Sequence, residues 1–193
     1  AEPSVPVTVY VSDVRMLVIP DFSIDARIER LIVSSLAPRF NILQVPPSGI
    51  DFGEWDARAI GEKIRSLPKR DDVDAYVIAC RDERAIESGA FLTFSGLGLY
   101  NRESLFREIT DVFAAYRIVM VDARTGEIIT GREAGIETGA FESALPRKRV
   151  DNSRWPGKDK PLPQDQIPIL RDDLYQLIDA SVPWTLRELE LSP

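Results

Sequence analysis

The residue types that most often carry out chemistry in proteins are scarce in this chain. The 193-residue sequence contains no histidine, which excludes hydrolases that use a histidine base and removes the commonest ligand of zinc and iron. Its one cysteine, Cys80, can form neither an internal disulfide nor a metal cluster. Cys80 ends the apolar run 75–80, which predicts a small buried thiol. We therefore predict no catalytic residue, no metal site and no cofactor.

Asp122 follows the apolar residues 118–121, which is where a phosphatase carries its nucleophile. Such an enzyme needs a second acid two residues later to protonate the leaving group, and Arg124 occupies that position. Residues 127–129 indicate the return strand of a hairpin, and Gly126 suits the left-handed position of its turn. We therefore predict a hairpin turn here rather than a nucleophile loop.

Gly96 and Gly98 form a Gly-x-Gly pair, the beginning of a phosphate-binding motif. A dinucleotide site needs this pair to open a helix, with a third glycine shortly after it. Strand-like residues surround the pair instead, and the sequence contains no Gly-x-x-x-x-Gly-Lys. The glycines therefore indicate a kink or bulge in a strand, and no nucleotide is predicted as a partner.

Carboxylates leave one catalytic alternative open. The chain has 31 aspartates and glutamates, among them the neighbours Asp82 and Glu83. Catalytic carboxylates act in pairs held roughly 5–10 Å apart in a cleft, and the sequence does not show which acids converge. A hydrolase built on carboxylates is therefore an alternative to a non-enzymatic function.

Basic residues cluster in one segment of this otherwise acidic chain, whose net charge of −7 disfavours non-specific binding to nucleic acid or anionic lipid. Residues 144–168 carry five prolines and no apolar periodicity, so we predict a long irregular loop. Within it, residues 147–160, here called the basic segment, hold six basic and two acidic side chains. Such a segment can bind a polyanion, an acidic protein or a headgroup surface, or it can be a solvated loop whose tryptophan docks on the body of the domain. The predicted partner-binding residues are Arg147, Lys148, Arg149, Arg154 and Trp155.

Apolar periodicity predicts the elements that position these residues. Helices are predicted at 24–36, at about 54–67 and at 169–181, where Pro183 stops the last one. Strands are predicted at 7–11, 16–19, 40–45, 75–80, 90–100, 113–121 and 127–130, the first two forming either one bent strand or two short ones. The order strand–helix–strand–helix–strand, then an antiparallel meander and a C-terminal helix, predicts an α+β fold with a mixed sheet. The length predicts a single domain over residues 1–193.

The compartment is predicted from the start of the sequence. Ala-Glu followed by a proline-containing stretch is typical of exported proteins after removal of a signal peptide, although a chain cut from a longer one would begin in the same way. No run approaches the ~18 consecutive apolar residues of a membrane helix, so no transmembrane segment is predicted. We expect a soluble periplasmic or exported protein.

Two stretches resemble a family of bacterial envelope domains. Residues 73–78 form a short acid-flanked strand after a helix, and residues 116–129 end a strand in Asp-x-x-Thr-Gly-Glu before turning back. Over about residues 5–132 the chain resembles the CsgG-like domains of the curli-secretion lipoprotein and the amino-terminal domain of the periplasmic TolB protein. Curli-type proteins carry a lipidated cysteine at the position of Ala1 and pore-forming strands that are not evident here, so no secretion channel is implied.

The resemblance implies a non-enzymatic domain that holds partners in the periplasm, and it carries over no site residue. We therefore predict a binding or assembly module of the bacterial cell envelope, whose partner is a protein or an envelope component. The alternatives are the carboxylate-based hydrolase and a polyanion-binding protein that acts through the basic segment.

Overall fold

Helices and strands of one chain form an α+β fold, as the sequence predicts. The computed structural model describes residues 14–18, 23–43, 55–85, 93–104, 107–137, 145–157 and 160–192. The helices are α1 (Ile24–Leu36), α2 (Ala57–Ser66) and α3 (Gln166–Glu188), and a short 3-10 turn covers Asn152–Arg154. The strands are β1 (Val14–Val18), β2 (Ala75–Arg81), β3 (Glu83–Ala85), β4 (Thr93–Ser104), β5 (Arg107–Asp122), β6 (Ile128–Glu133) and β7 (Arg147–Val150). Among the described residues, no helix is both long and apolar enough to span a bilayer.

Strand β5 is the centre of the sheet because four other strands pair along it. Its first half pairs with β4 and β7, and its second half pairs with β2 and β6. Strands β1 and β3 pair with β4. The backbone groups of Ala114 and Tyr116 bond to Pro146 beside β7 and to Ala134 beside β6. The carbonyl of Ala115 accepts instead from the amide of Asp82, directly after β2. Because successive residues of a strand direct their backbone groups to opposite edges, β6 and β7 share one edge of β5, and β2 and β4 share the other.

The mixed sheet that the sequence predicts is not found in the described residues, where every pairing is antiparallel. Residues 40–43 are irregular, so they do not begin the strand predicted at 40–45. The cause is local, because the amide of Phe40 still bonds to the carbonyl of Leu36 at 3.0 Å and holds the chain in a turn after α1. Residues 44 and 45, like the strand predicted at 7–11, lie outside the described residues.

The two faces of the sheet bury two separate apolar clusters. Helices α1 and α3 cover the face that carries the even-numbered residues 112–118 of β5. Helix α2 covers Val119 and Val121 on the opposite face. This division follows from the strand period of two, which sends alternate side chains to opposite faces. On the first face, the buried hydroxyls of Tyr116 and Ser181 lie 2.5 Å apart and join β5 to α3.

Helices α1 and α2 form for reasons that the sequence shows directly. Helix α1 buries one stripe of large apolar side chains at helical spacing, which consists of Ile24, Ile28, Ile32 and Leu36. Asp56 caps the N-terminus of helix α2, and its carboxylate accepts hydrogen bonds from the amides of Arg58 and Ala59 at 2.8 and 3.0 Å. Both helices therefore lie close to their predicted bounds.

Helix α3 extends past Pro183, where the sequence predicts its end. Proline cannot donate the usual backbone hydrogen bond, which weakens one turn. Burial on both sides of that turn outweighs this cost, because Val182 and Leu186 are fully enclosed in the cluster beneath α3. The hydroxyl of Thr185 also donates to the carbonyl of Ser181 at 2.7 Å. Tertiary packing therefore carries the helix through the proline.

The predicted hairpin between β5 and β6 is confirmed. Gly126 has φ = 70°, the left-handed conformation that glycine adopts without strain. The Asp122 carboxylate accepts hydrogen bonds from the amides of Thr125 and Arg124 at 2.7 and 2.8 Å, and these bonds lower its pKa. Asp122 therefore closes a turn. Gly96 also has a positive φ, 67°, at the point where β4 changes its partner from β3 to β5, which confirms the predicted kink.

Candidate functional site

The prediction of one irregular loop over 144–168 is wrong. Strand β7 pairs with β5, the 3-10 turn follows it, and α3 begins inside the predicted loop. The amide of Ala114 donates to the carbonyl of Pro146 at 2.9 Å, so the chain joins the sheet directly after that proline. A strand of four residues is too short to show apolar periodicity, and three of its residues are basic.

The predicted partner-binding residues mostly pair with acids of the domain itself. Lys148 Nζ lies 2.7 Å from Asp173, and Arg154 pairs with the same carboxylate. Arg149 pairs with Asp111. Asp111 and Asp173 are only 3% and 5% exposed, and a buried carboxylate is costly unless a cation compensates it.

The two remaining predicted residues are Arg147, whose side chain is exposed, and Trp155, which is half-buried against the core under α3. Trp155 therefore docks on the body of the domain. Three of the cations that the sequence predicts to bind a partner, Lys148, Arg149 and Arg154, therefore neutralise buried acids of the domain itself.

The strongest candidate site is instead a groove of about 700 Å³ beside β2. Helix α1 forms one wall, and the C-terminal end of α2 with Leu67 forms part of the other. Both faces of β2 contribute side chains to the lining, so the groove follows an edge of this strand. Its apolar surface includes Ile28, Ile32, Leu36, Val77, Ala79 and Met120.

Large apolar side chains are exposed at the mouth of the groove. Phe40 is 37% exposed and Leu43 is 41% exposed, and both line the groove just after α1. Single exposed apolar residues are ordinary, but two beside a concave apolar surface form a continuous patch. Such a patch is typical of a binding surface.

Charged residues of the groove lie on its rim. Four exposed acids and one arginine take part in the lining, namely Asp25, Glu29, Asp72, Asp74 and Arg81. Arg70 binds Asp72 at 2.7 Å, and this hydrogen bond lowers the pKa of the Asp72 carboxyl. The exposed acids outnumber the one arginine of the lining four to one, so the rim has an acidic character. They do not form the buried pair that the carboxylate-hydrolase alternative requires.

The other side chains considered for chemistry have structural roles. Asp82 is 3% exposed, and Arg117 Nε lies 3.1 Å from its carboxylate. Cys80 is buried as predicted, and burial raises the pKa of its thiol to about 11. The described residues contain no group of three or more histidine, cysteine, aspartate or glutamate side chains that could hold a metal ion.

Sequence reasoning did not find the groove because its walls come from distant parts of the chain. One local signal was present: Phe40, Ile42 and Leu43 place apolar side chains directly after a helix that already has a complete buried stripe. The sequence instead predicts a strand at 40–45. In the structure, Phe40, Ile42 and Leu43 all line the groove.

No protein-family model, curated protein or solved structure matches this chain. The resemblance to the CsgG-like and TolB amino-terminal domains therefore stays a prediction. The chemistry of the groove is the basis for inferring a function.

Proposed function

We propose that this chain is a non-enzymatic binding or assembly module of the bacterial cell envelope, and that it binds an apolar segment of a protein partner in the groove beside β2. The observation that carries the proposal is the groove itself, with its apolar floor, the exposed Phe40 and Leu43 at its mouth and its acidic rim. Covering such apolar surface is favourable at roughly 25 cal/mol for each Å² removed from water.

The size and lining of the groove suit a few side chains of a partner. Its volume of about 700 Å³ lies within the range of roughly 300–1,000 Å³ that is usual for ligand sites. The lining is mainly apolar, which favours a segment rich in valine, isoleucine, leucine or phenylalanine.

The charges on the rim favour a partner with lysine or arginine beside its apolar residues. Of the five charged lining residues, only Arg81 is basic. Complementary charge at a rim accelerates association and selects among partners more than it adds affinity. Binding should therefore weaken as salt concentration rises, because exposed charges are screened over about 10 Å at 0.1 M salt.

The envelope location rests on the likeness of residues 73–78 and 116–129 to periplasmic domains. The first of these stretches contains residues 75–78 of β2, which line the groove. In cells of the source organism, we expect fractionation to recover the protein with periplasmic markers. Recovery with cytoplasmic markers would contradict the envelope assignment and leave the groove to be tested separately.

The groove is tested by selecting peptides from a random display library on the purified protein. We expect selected peptides to share a short apolar run flanked by lysine or arginine. Leu43→Glu, at the mouth, should weaken their binding by about tenfold or more, because it places a charge against the apolar segment. Ile129→Glu is the matched control, since Ile129 is 54% exposed on β6, outside the groove. Equal affinity for both variants would contradict binding in the groove.

A further inference from the structure

We propose that the segment bound in the groove is extended and adds to the sheet as a strand alongside β2. This inference rests on the proposed function and goes further, because it names the backbone groups of this chain that hold the ligand. It also sets the length and the residue pattern of that ligand.

Strand β2 has an edge that the described strands leave open. In the described part of the chain it pairs only with β5, along its full length from Ala75 to Arg81. A strand with one free edge presents a row of backbone amides and carbonyls that can pair with another strand. The groove lies along this strand, so the row of groups and the apolar lining face the same space.

Hydrogen bonds at the two ends of β2 show which residues face the open edge. The amide of Asp82 donates to the carbonyl of Ala115 at 3.3 Å, and the carbonyl of Asp74 accepts from the amide of Ala123 at 3.0 Å. The backbone groups of Asp74 and Asp82 thus both point towards β5, and so do the backbone groups of the even-numbered residues between them. The backbone amides and carbonyls that point towards the open edge belong to Ala75, Val77, Ala79 and Arg81.

The carbonyl of Arg81 is already hydrogen-bonded to a residue outside the sheet. The carbonyl of Arg81 accepts from the amide of Trp55 at 2.7 Å, which confirms that the odd-numbered residues point away from β5. Trp55 therefore closes one end of the open edge. The row available to a ligand runs from Ala75 to Ala79, which pairs with about five residues of an extended chain, or roughly 17 Å.

The surroundings of this row determine the side chains that the ligand needs. Val77 and Ala79 pack with the cluster beneath α1 and α3, whereas Tyr76 packs with the cluster beneath α2. Alternate side chains of an added strand enter these two apolar environments, so both sets must be apolar. The exposed Asp74 lies directly before Ala75 at one end of the row. The ligand is therefore a stretch of about five apolar residues with a basic residue at that end.

The inference is tested with a fluorescent peptide of two lysines followed by alternating valine and isoleucine, in two versions methylated on alternate backbone nitrogens. An added strand directs every second amide towards β2, so one version should lose binding by about tenfold and the other should bind within about twofold of the parent peptide. Equal binding of both versions would overturn strand addition. If Leu43→Glu still weakened the parent peptide, the groove would remain a binding site.

Ala79→Pro tests the backbone pairing from the side of the protein. Proline removes the outward amide at this position, and the pairing with β5 does not use that amide, so the variant should keep its fold. We expect peptide affinity to fall by about tenfold with Ala79→Pro. Ala79→Val is the control, because valine is similar in bulk to proline but keeps the backbone amide, and it should change the affinity little. Similar losses in both variants would show that packing, and not the backbone pairing, holds the peptide.

Amide hydrogen exchange decides whether the edge is open before the ligand arrives. The amides of Val77 and Ala79 should exchange quickly in the free protein and slowly with the peptide bound, while those of Ile78 and Cys80 stay slow throughout. Slow exchange of Val77 and Ala79 in the free protein would overturn the proposal. Another part of the chain, or a second copy at high concentration, would then already cover the edge.

Discussion

At the residue scale, two glycines let the hairpin turn lie against helix α2. A Cβ atom on Gly126 would lie 2.5 Å from the carbonyl oxygen of Gly61, and one on Gly61 would lie 2.6 Å from the carbonyl oxygen of Gly126. Arg65 Nη1 donates to the carbonyl of Thr125 at 3.1 Å beside this contact. The turn therefore positions α2 as well as reversing the chain.

Gly126→Ala should lower the free energy of unfolding by about 2–3 kcal/mol. The left-handed conformation alone costs about 1–2 kcal/mol for an alanine, and the new methyl group must also displace the backbone of Gly61. Gly157→Ala is the control, because Gly157 has φ = 94° but its Cβ would meet only the flexible side chain of Lys160, at 3.6 Å or more. Urea unfolding of both variants checks the prediction. Equal losses would show that the contact between α2 and the turn adds nothing beyond backbone strain.

At the scale of elements, ion pairs hold β7 and the 3-10 turn against α3. Lys148 lies on β7 and Arg154 ends the 3-10 turn, and both neutralise Asp173 on α3. Replacing both cations with alanine should cost about 3 kcal/mol, because a buried carboxylate loses its compensation. Urea unfolding measures this cost, and Arg147→Ala, on the same strand but exposed, should change the stability by less than about 0.5 kcal/mol.

A third substitution separates charge from packing in this prediction. Adding Asp173→Asn to the double variant removes the uncompensated charge, so most of the lost stability should return. No recovery would mean that the two cations stabilise β7 through their aliphatic stems alone. Unchanged stability of the double variant would show that neither cation stabilises the contact of β7 and the 3-10 turn with α3.

The elements that the sequence predicts well are those fixed by local signals. The apolar stripe of α1, the N-cap of α2 and the turn before β6 each depend on a few residues that are close together in the sequence. The elements that it misses depend on partners far along the chain. Strand β7 needs Asp111 and Asp173, the passage of α3 through Pro183 needs the cluster beneath it, and the groove needs walls from α1 and β2 together.

At the scale of the whole molecule, β5 joins two halves of the sheet. Strands β1, β3, β4 and β7 belong to one half, and β2 and β6 belong to the other. Arg117 lies on β5 where the second half begins, and its guanidinium bridges Asp82 at 3.1 Å and Glu133 at 3.0 Å. The ring of Trp55 stacks on the same guanidinium at 4.7 Å. One side chain thus ties the strands on both edges of β5 and the residue that precedes α2.

Arg117→Met should therefore destabilise the whole fold, and not only the strands that it touches. It keeps much of the aliphatic stem but leaves the carboxylate of Asp82, which is 3% exposed, without this cation. We expect a loss of about 3 kcal/mol in urea unfolding, with tryptophan fluorescence and far-UV circular dichroism changing together in one transition. Asp82→Asn in the same chain should restore about half of the loss, because a neutral amide is less costly to bury than a carboxylate that has lost this cation. If the double variant were as unstable as Arg117→Met alone, the stacking on Trp55 and the bond to Glu133 would explain the effect. If fluorescence and circular dichroism changed at different urea concentrations, the fold would not unfold as one unit, and β5 would not couple the two halves.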